Sequence, residues 1–351
     1  MAKRVAVIIL NWNGEKLLRE FLPSVVKNTN TDLGRVVVVD NHSTDGSWIC
    51  LEQEFPDVER VLFEDNFGFA GGYNRAIEMI EAEYVVLLNS DVEVAPGWLE
   101  PLVAVLDRDE RVAAVQPKIL AYRDKKKFEY AGAAGGYIDY LGFPFCRGRV
   151  MDTTEQDDGQ YDDEVDVFWA TGAALFIRHT DYVNVGGLDG RFFAHMEEID
   201  LCWRLRSRNR EIVCVPQSIV YHVGGATLKK ENPHKTFLNF RNNLVMLYKN
   251  LPQKELNKVM RIRACLDYVA AFNFLLQGHW DNARAVIRAR KEYKQLCPSF
   301  SLSREENMRK KTLNPIPERT KSSILWQFYA RGCKRFSQLS DFKRIANGIK
   351  G

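Results

Sequence analysis

The strongest constraint on this chain is a pattern that occurs twice, a short and uniformly apolar run that ends at a carboxylate. Val36 to Val39 leads into Asp40-Asn41-His42-Ser43-Thr44-Asp45-Gly46, and Tyr84-Val85-Val86-Leu87-Leu88 leads into Asn89-Ser90-Asp91. A run without polar alternation suits a strand covered on both faces, as in a parallel α/β sheet, where ligands gather beyond the carboxyl ends of the strands. Each acid alone could equally well open a turn, since Asn and Asp are common there.

Helical segments alternate with these runs. Val5 to Leu10 reads as a first strand, and Leu17, Leu18, Phe21, Leu22, Val25 and Val26 then recur at helical spacing between Glu15 and Asn28. Val58 to Phe63, Tyr84 to Asn89 and Val112 to Gln116 supply further strands, with helices to about Glu81 and from about Gly97 to Leu106. Such alternation predicts a parallel sheet with helices on both faces. The turn Asn66-Phe67-Gly68-Phe69-Ala70-Gly71-Gly72-Tyr73-Asn74 places glycines ahead of a helix, where backbone amides can approach a diphosphate; glycine-rich turns also serve simply to reverse a chain.

Beyond Pro117 the rhythm gives way to irregular β structure shaped for a substrate. Asp152 to Asp166 holds eight acids and no base, and reads as a solvated loop or lid rather than a metal site. Glu197 to about Arg208 reads as a helix with Glu197, Glu198 and Asp200 in its first turn. Capping, and an Asp200 to Arg204 pair, explain those acids as well as chemistry does. His222 follows a strand, a position more often packed than ligating.

Seven scattered cysteines form neither a disulfide framework nor a CxxC metal spacing, which favours a reducing, cytoplasmic setting. Val5 to Leu10 is too short for a signal-peptide core, and no stretch approaches the roughly 20 apolar residues of a membrane span. The net charge of +3 hides an asymmetry of −10 over residues 1–250 and +13 over residues 251–351. A basic end of this kind suits an anionic surface, and without a recognisable binding module nucleic acid is the poorer candidate.

Taken together, four segments in order resemble the inverting, nucleotide-sugar-dependent glycosyltransferases of family 2. They are Val7 to Asn13, Val38 to Gly46, Leu87 to Asp91, and Phe192-Phe193 through Glu198-Ile199-Asp200-Leu201-Cys202-Trp203-Arg204. The resemblance implies a GT-A type α/β fold with a mainly parallel central sheet over residues 1–225, followed by a basic helical region over 226–351. It is greatest to bacterial rhamnosyltransferases and their polysaccharide-building relatives. By the same resemblance Asp40 reads the donor nucleotide beside Asn11, and Asn66, Gly71 and Asn74 lie in a donor-binding turn. Asn89-Ser90-Asp91 occupies the DxD position, with Asp91 and His222 as ligands of Mn²⁺ or Mg²⁺ and Glu198 as the general base. Asn89 stands where many members carry an acid, and Tyr73 where many carry a basic residue.

The implied reaction moves a sugar from a dTDP- or UDP-sugar, dTDP-rhamnose among them, to a saccharide or polyprenyl-linked acceptor at the inner face of a membrane. The basic amphipathic run Trp280 to Leu296 suits an anionic membrane surface, or packs on the catalytic domain with its charges in water. Two rivals share the design: a nucleotide-sugar-binding protein without turnover, and a nucleotidyltransferase, whose early Lys-containing glycine-rich signature is missing here.

Overall fold

The apolar runs are continuous because each strand they form is buried on both faces. The computed structural model describes residues 3–224 and 232–342, so the boundary at residues 225 and 226 lies outside the described residues. The first half is strand β1 (Val5–Asn11), helix α1 (Glu15–Asn28), β2 (Gly34–Asp40), α2 (Ser47–Glu54), β3 (Glu59–Leu62), α3 (Gly68–Met79) and β4 (Tyr84–Leu88). β1 lies parallel to β2 and β4, and β2 parallel to β3. Along β1, Val5, Val7 and Ile9 enter one core with Leu18 and Leu22, while Ala6 and Ile8 enter the opposite core with Ala70 and Tyr73.

Next come β5 (Val92–Val94), α4 (Leu99–Arg108), β6 (Val112–Ala121) and β7 (Asp124–Phe128). Four short strands follow, β8 (Gly136–Asp139), β9 (Pro144–Cys146), β10 (Arg149–Val150) and β11 (Thr153–Thr154). The central sheet is completed by β12 (Val165–Asp166), β13 (Ala174–Arg178) and β14 (Glu211–His222), with α5 (His179–Val185) and α6 (Glu197–Ser207) between the last two. Its order is β12-β14-β6-β13-β4-β1-β2-β3.

The expected parallel pairing holds across β3, β2, β1 and β4 and again between β6 and β14, but β13 runs antiparallel between β4 and β6. The cause is local. The chain re-enters the sheet at the edge where β4 ends, with Asn89 N donating to Ala173 O at 3.0 Å, and so must run back down.

Two sequence expectations change. The glycine-rich turn is the first turn of α3 itself: a Cβ on Gly72 would lie 2.7 Å from Leu10 Cδ2, so only glycine lets α3 sit this close to β1. The acidic run is docked rather than a free loop or lid, since Asp157 reaches the buried Lys118 ammonium at 2.8 Å, joined there by Asp162, while Asp163 pairs with the buried Arg147.

The C-terminal helices are α7 (Pro233–Asn250), α8 (Gln253–Leu276), α9 (Trp280–Leu296) and α10 (Ser301–Lys310). β15 (Arg319–Thr320) then joins β8 in a second, small sheet. Lys249 on α7 is buried between Asp189 and Asp200, 2.7 Å from each, and Asp200 also accepts from Arg204 at 3.0 Å and Asn250 at 2.8 Å. The first turn of α6 is thereby fixed to the C-terminal helices. No helix among the described residues is long and apolar enough to cross a membrane.

Candidate active site

Three corners meet at the carboxyl edge of the sheet. At the first, Asn11 and Asp40 are register partners at the ends of β1 and β2, and Asn11 Nδ2 donates to Asp40 Oδ2 at 3.0 Å. Ser43 N donates to the other oxygen at 2.8 Å, which curls the chain after β2 into a turn. Asp40 is fully buried, and this turn is what its carboxylate holds. Asn11 Oδ1 is also buried and has no hydrogen-bond partner among the described residues, an acceptor left open in the corner. A Cβ on Gly14 would lie 2.3 Å from that oxygen and 3.9 Å from Ser90 Oγ, so glycine lets the loop after β1 close over Asn11 beside Ser90. Asn66 joins through Asn41, whose Nδ2 donates to Asn66 Oδ1 at 2.9 Å.

At the second corner, Asp91 lies just beyond β4 and His222 at the end of β14, where it pairs with Val92. His222 Nε2 is 3.1 Å from Asp91 Oδ1, and its Nδ1 is 3.5 Å from Glu129 Oε2, too long for a hydrogen bond but close for a charge. Burial works against a charged ring here, yet the two carboxylates outweigh it and push the imidazole up to about 10. Glu129 was not among the sequence candidates. It follows strand β7 as Asp40 and Asp91 follow theirs, but that strand is lysine-rich and shows no apolar run.

The third corner is Glu198 on α6. Its carboxylate is half-buried, with no hydrogen-bonded side chain among the described residues, and burial raises it to about 6. Glu197 beside it is buried deeper and is held well above the usual carboxylate range by burial and then by the charge of Glu198. Gly172 connects this corner to the sheet edge: a Cβ there would lie 3.7 Å from Glu198 Cβ and 3.5 Å from Phe69 of α3, one residue from the Ala173 carbonyl that holds Asn89. Gly172 thus lies between Glu198 and Phe69 in the first turn of α3, and the residue after it is hydrogen-bonded to the end of β4.

The loop into Glu198 is strained, with φ of 68° at Phe193, 69° at His195 and 77° at Met196. Asn242 on α7 holds it, donating to the carbonyls of Phe192, Ala194 and His195 at 2.9, 2.7 and 2.8 Å, while Asn243 donates to Gly142 O at 2.6 Å. This clasp too escaped the sequence reading; its signal is a run of polar residues, Arg241-Asn242-Asn243, inside an otherwise apolar helix.

Two candidates point elsewhere. Asn74 spends its amide on the loop after α5, accepting from Tyr182 Oη at 2.6 Å and Leu188 N at 3.0 Å and donating to Leu188 O at 2.8 Å. Gly71 sits within α3, where a Cβ would meet Phe67 Cβ at 3.3 Å. Tyr73 is turned fully inward, donating to Leu88 O at 2.9 Å; the cation near this turn is the exposed Arg75, whose guanidinium lies 3.8 Å over the Phe67 ring.

The residues present fit a divalent cation. Asp91 Oδ1 and His222 Nε2, 3.1 Å apart, would hold it in place of the proton they share. No group of three protein ligands occurs among the described residues, so other positions would fall to diphosphate oxygens and water.

Residues 6–170 match the model of the family described as Glycosyl transferase family 2. The N-acetylglucosaminyl-diphospho-decaprenol L-rhamnosyltransferase of Mycobacterium tuberculosis is 28% identical over 240 residues, which cover 63% of this chain and 76% of that one. The O-antigen biosynthesis protein RfbC of Myxococcus xanthus is 26% identical over 234 residues, 65% of this chain but only 18% of that longer protein. Among solved structures, GalNAc-T7 with UDP, GalNAc and Mn²⁺ superposes with a TM-score of 0.56 at 15% identity, over 91% of this chain and 59% of that one.

Proposed function

We propose that this nucleotide-sugar glycosyltransferase, whose residues 6–170 match the glycosyl transferase family 2 model on a GT-A fold, works by a metal-assisted, inverting displacement with Glu198 as the general base. The observation that carries this reading is the placement of Glu198. It is a carboxylate with no hydrogen-bonded side chain among the described residues, raised to about 6, beside Gly172, whose neighbour Ala173 is bonded to the strand end that leads into Asn89-Ser90-Asp91.

A sugar hydroxyl is a poor nucleophile at neutral pH, and a carboxylate poised near 6 is mostly ionised yet basic enough to take its proton as attack proceeds. Attack from the face opposite the leaving diphosphate inverts the anomeric carbon in one step. Asp91 and His222 would hold the cation, Mn²⁺ or Mg²⁺, which when bound supplies Lewis-acid stabilisation of the departing diphosphate. Asn11, Asp40, Asn66 and Ser90 shape the nucleotide corner, Asp40 chiefly by fixing its turn, and the amides opening α3 face the negative charge that leaves.

We assign the donor as a UDP- or dTDP-sugar, dTDP-rhamnose first among them, and the acceptor as a polyprenyl-linked saccharide built at the inner face of the membrane. The rhamnosyltransferase relative supports both, and the Mn²⁺ and UDP of GalNAc-T7 support the cation and nucleotide class. The basic C-terminal region would then contact anionic lipid. A thermal-shift screen of nucleotide diphosphates and their sugars, with and without Mn²⁺, tests the assignment, since a ligand of the native state raises the melting temperature. Stabilisation by dTDP or UDP that grows with Mn²⁺ is expected; a response to neither removes the donor assignment.

A further inference from the structure

The hairpin of α8 and α9 presents an apolar face that nothing in the described structure covers. On α8, Val269, Phe272 and Leu276 are 64, 61 and 72% exposed, and Trp280, which opens α9, is 61% exposed. With Tyr268 they recur at three- and four-residue spacing, so they line one side of α8 and run to the tip of the hairpin. The sequence reading places the membrane contact on α9, yet α9 turns Ala283, Val286 and Ala289 inward. Apart from Ile287, 52% exposed on α9, the free apolar surface of the hairpin belongs to α8 and the tip.

The exposed charges of the two helices are mostly basic. Lys254, Lys258 and Arg261 on α8, and Arg284, Arg288 and Lys291 on α9, are exposed. The acids of the same helices are turned inward and occupied: Asp267 by the buried Arg263 and Arg290, Glu255 by Arg319, and Glu292 by Arg241 at 2.9 Å. Asp281, beside Arg284, is the acid of the hairpin that stays outside. Pairing of the other acids leaves Arg284, Arg288 and Lys291 as the exposed bases that follow the apolar tip along α9, with Asp281 beside the first of them.

We propose that this tip enters an anionic bilayer, with Phe272, Leu276 and Trp280 among the acyl chains and Arg284, Arg288 and Lys291 against lipid phosphates. Exposed aromatic and branched side chains gain by leaving water, tryptophan suits the interfacial depth, and each base near the surface adds attraction to anionic headgroups. The proposal rests on the membrane contact inferred above and gives it a surface. It docks the enzyme through the same helical region that clasps the Glu198 loop.

Co-sedimentation of the purified chain with vesicles of phosphatidylglycerol and phosphatidylcholine, and of phosphatidylcholine alone, tests it without turnover. Binding to the anionic vesicles is expected. F272S/L276S/W280S should lower it at least about tenfold, and R284E/K291E should remove the preference for anionic lipid, while both variants keep the melting-temperature rise caused by the donor nucleotide. Wild-type binding by the triple variant, or indifference of the wild-type chain to anionic vesicles, overturns the proposal. A stable dimer that the triple variant splits, without vesicle binding by either, assigns the face to a second copy and overturns it too. Because vesicle binding and the nucleotide response are read separately, failure of the docking and failure of the proposed function remain distinguishable.

Discussion

The side-chain amide of Asn242 lies 2.8 Å from the carbonyl oxygen of His195, so a helix outside the central sheet clasps the strained loop that delivers Glu198. That link ties the C-terminal helices to the position of the proposed base.

N242A should therefore release Phe193 to Met196 without touching the nucleotide corner. Small misplacements of a reacting group cost about 100-fold in rate, so kcat is expected to fall by about that factor while donor binding by calorimetry changes less than about twofold. A fall in donor affinity matching the loss of kcat would show that Asn242 acts on the whole fold.

Burial raises Glu198 to about 6 and holds Glu197 beside it well above the usual carboxylate range. The base must be ionised to act, so kcat/KM should drop as pH falls through about 6. The shift of Glu198 comes from burial and not from its neighbour, so E197Q should leave that acid limb in place. A limb that moves by a full pH unit in E197Q would exchange the roles of the two acids.

Glu129 faces His222 Nδ1 at 3.5 Å, while Asp91 faces Nε2, and would steady the ring if the contact closes when a cation binds. Outer-shell carboxylates of this kind commonly contribute about 10- to 100-fold to metal affinity. E129Q should raise the Mn²⁺ concentration needed for half-maximal stabilisation of the nucleotide complex by a factor in that range, read by thermal shift. An unchanged Mn²⁺ titration would leave Glu129 a purely structural residue.

Lys249 neutralises two buried carboxylates, Asp189 and Asp200. K249M leaves both without their shared cation and should cost about 3–5 kcal/mol in chemical denaturation. A loss below about 1 kcal/mol, the range of exposed pairs, would mean that Arg204, Arg191 and Asn250 suffice.

Much of this fold was legible because burial on both faces leaves an unambiguous mark. β1, β2 and β4 read as continuous apolar runs, and α1 was bounded to the residue by its helical periodicity. The glycine-rich segment was harder, since a helix that opens on glycines to fit under Leu10 looks like a turn in sequence. The direction of β13 depends on where the chain re-enters the sheet, which no local pattern records. The acidic run looked solvated because its partners, Lys118 and Arg147, are distant in sequence and buried. Glu129 and Asn242 were missed for a related reason: each acts through a residue far along the chain, and neither carries a periodicity that betrays it.

The central claim is that Glu198 takes the proton of the acceptor hydroxyl, and the most direct test is E198Q assayed for both sugar transfer and donor binding. A positioned general base contributes about 100- to 10,000-fold, so transfer should fall by at least about 100-fold while dTDP- or UDP-sugar and Mn²⁺ still raise the melting temperature as in the wild-type chain. Transfer by E198Q at the wild-type rate would contradict the assignment outright.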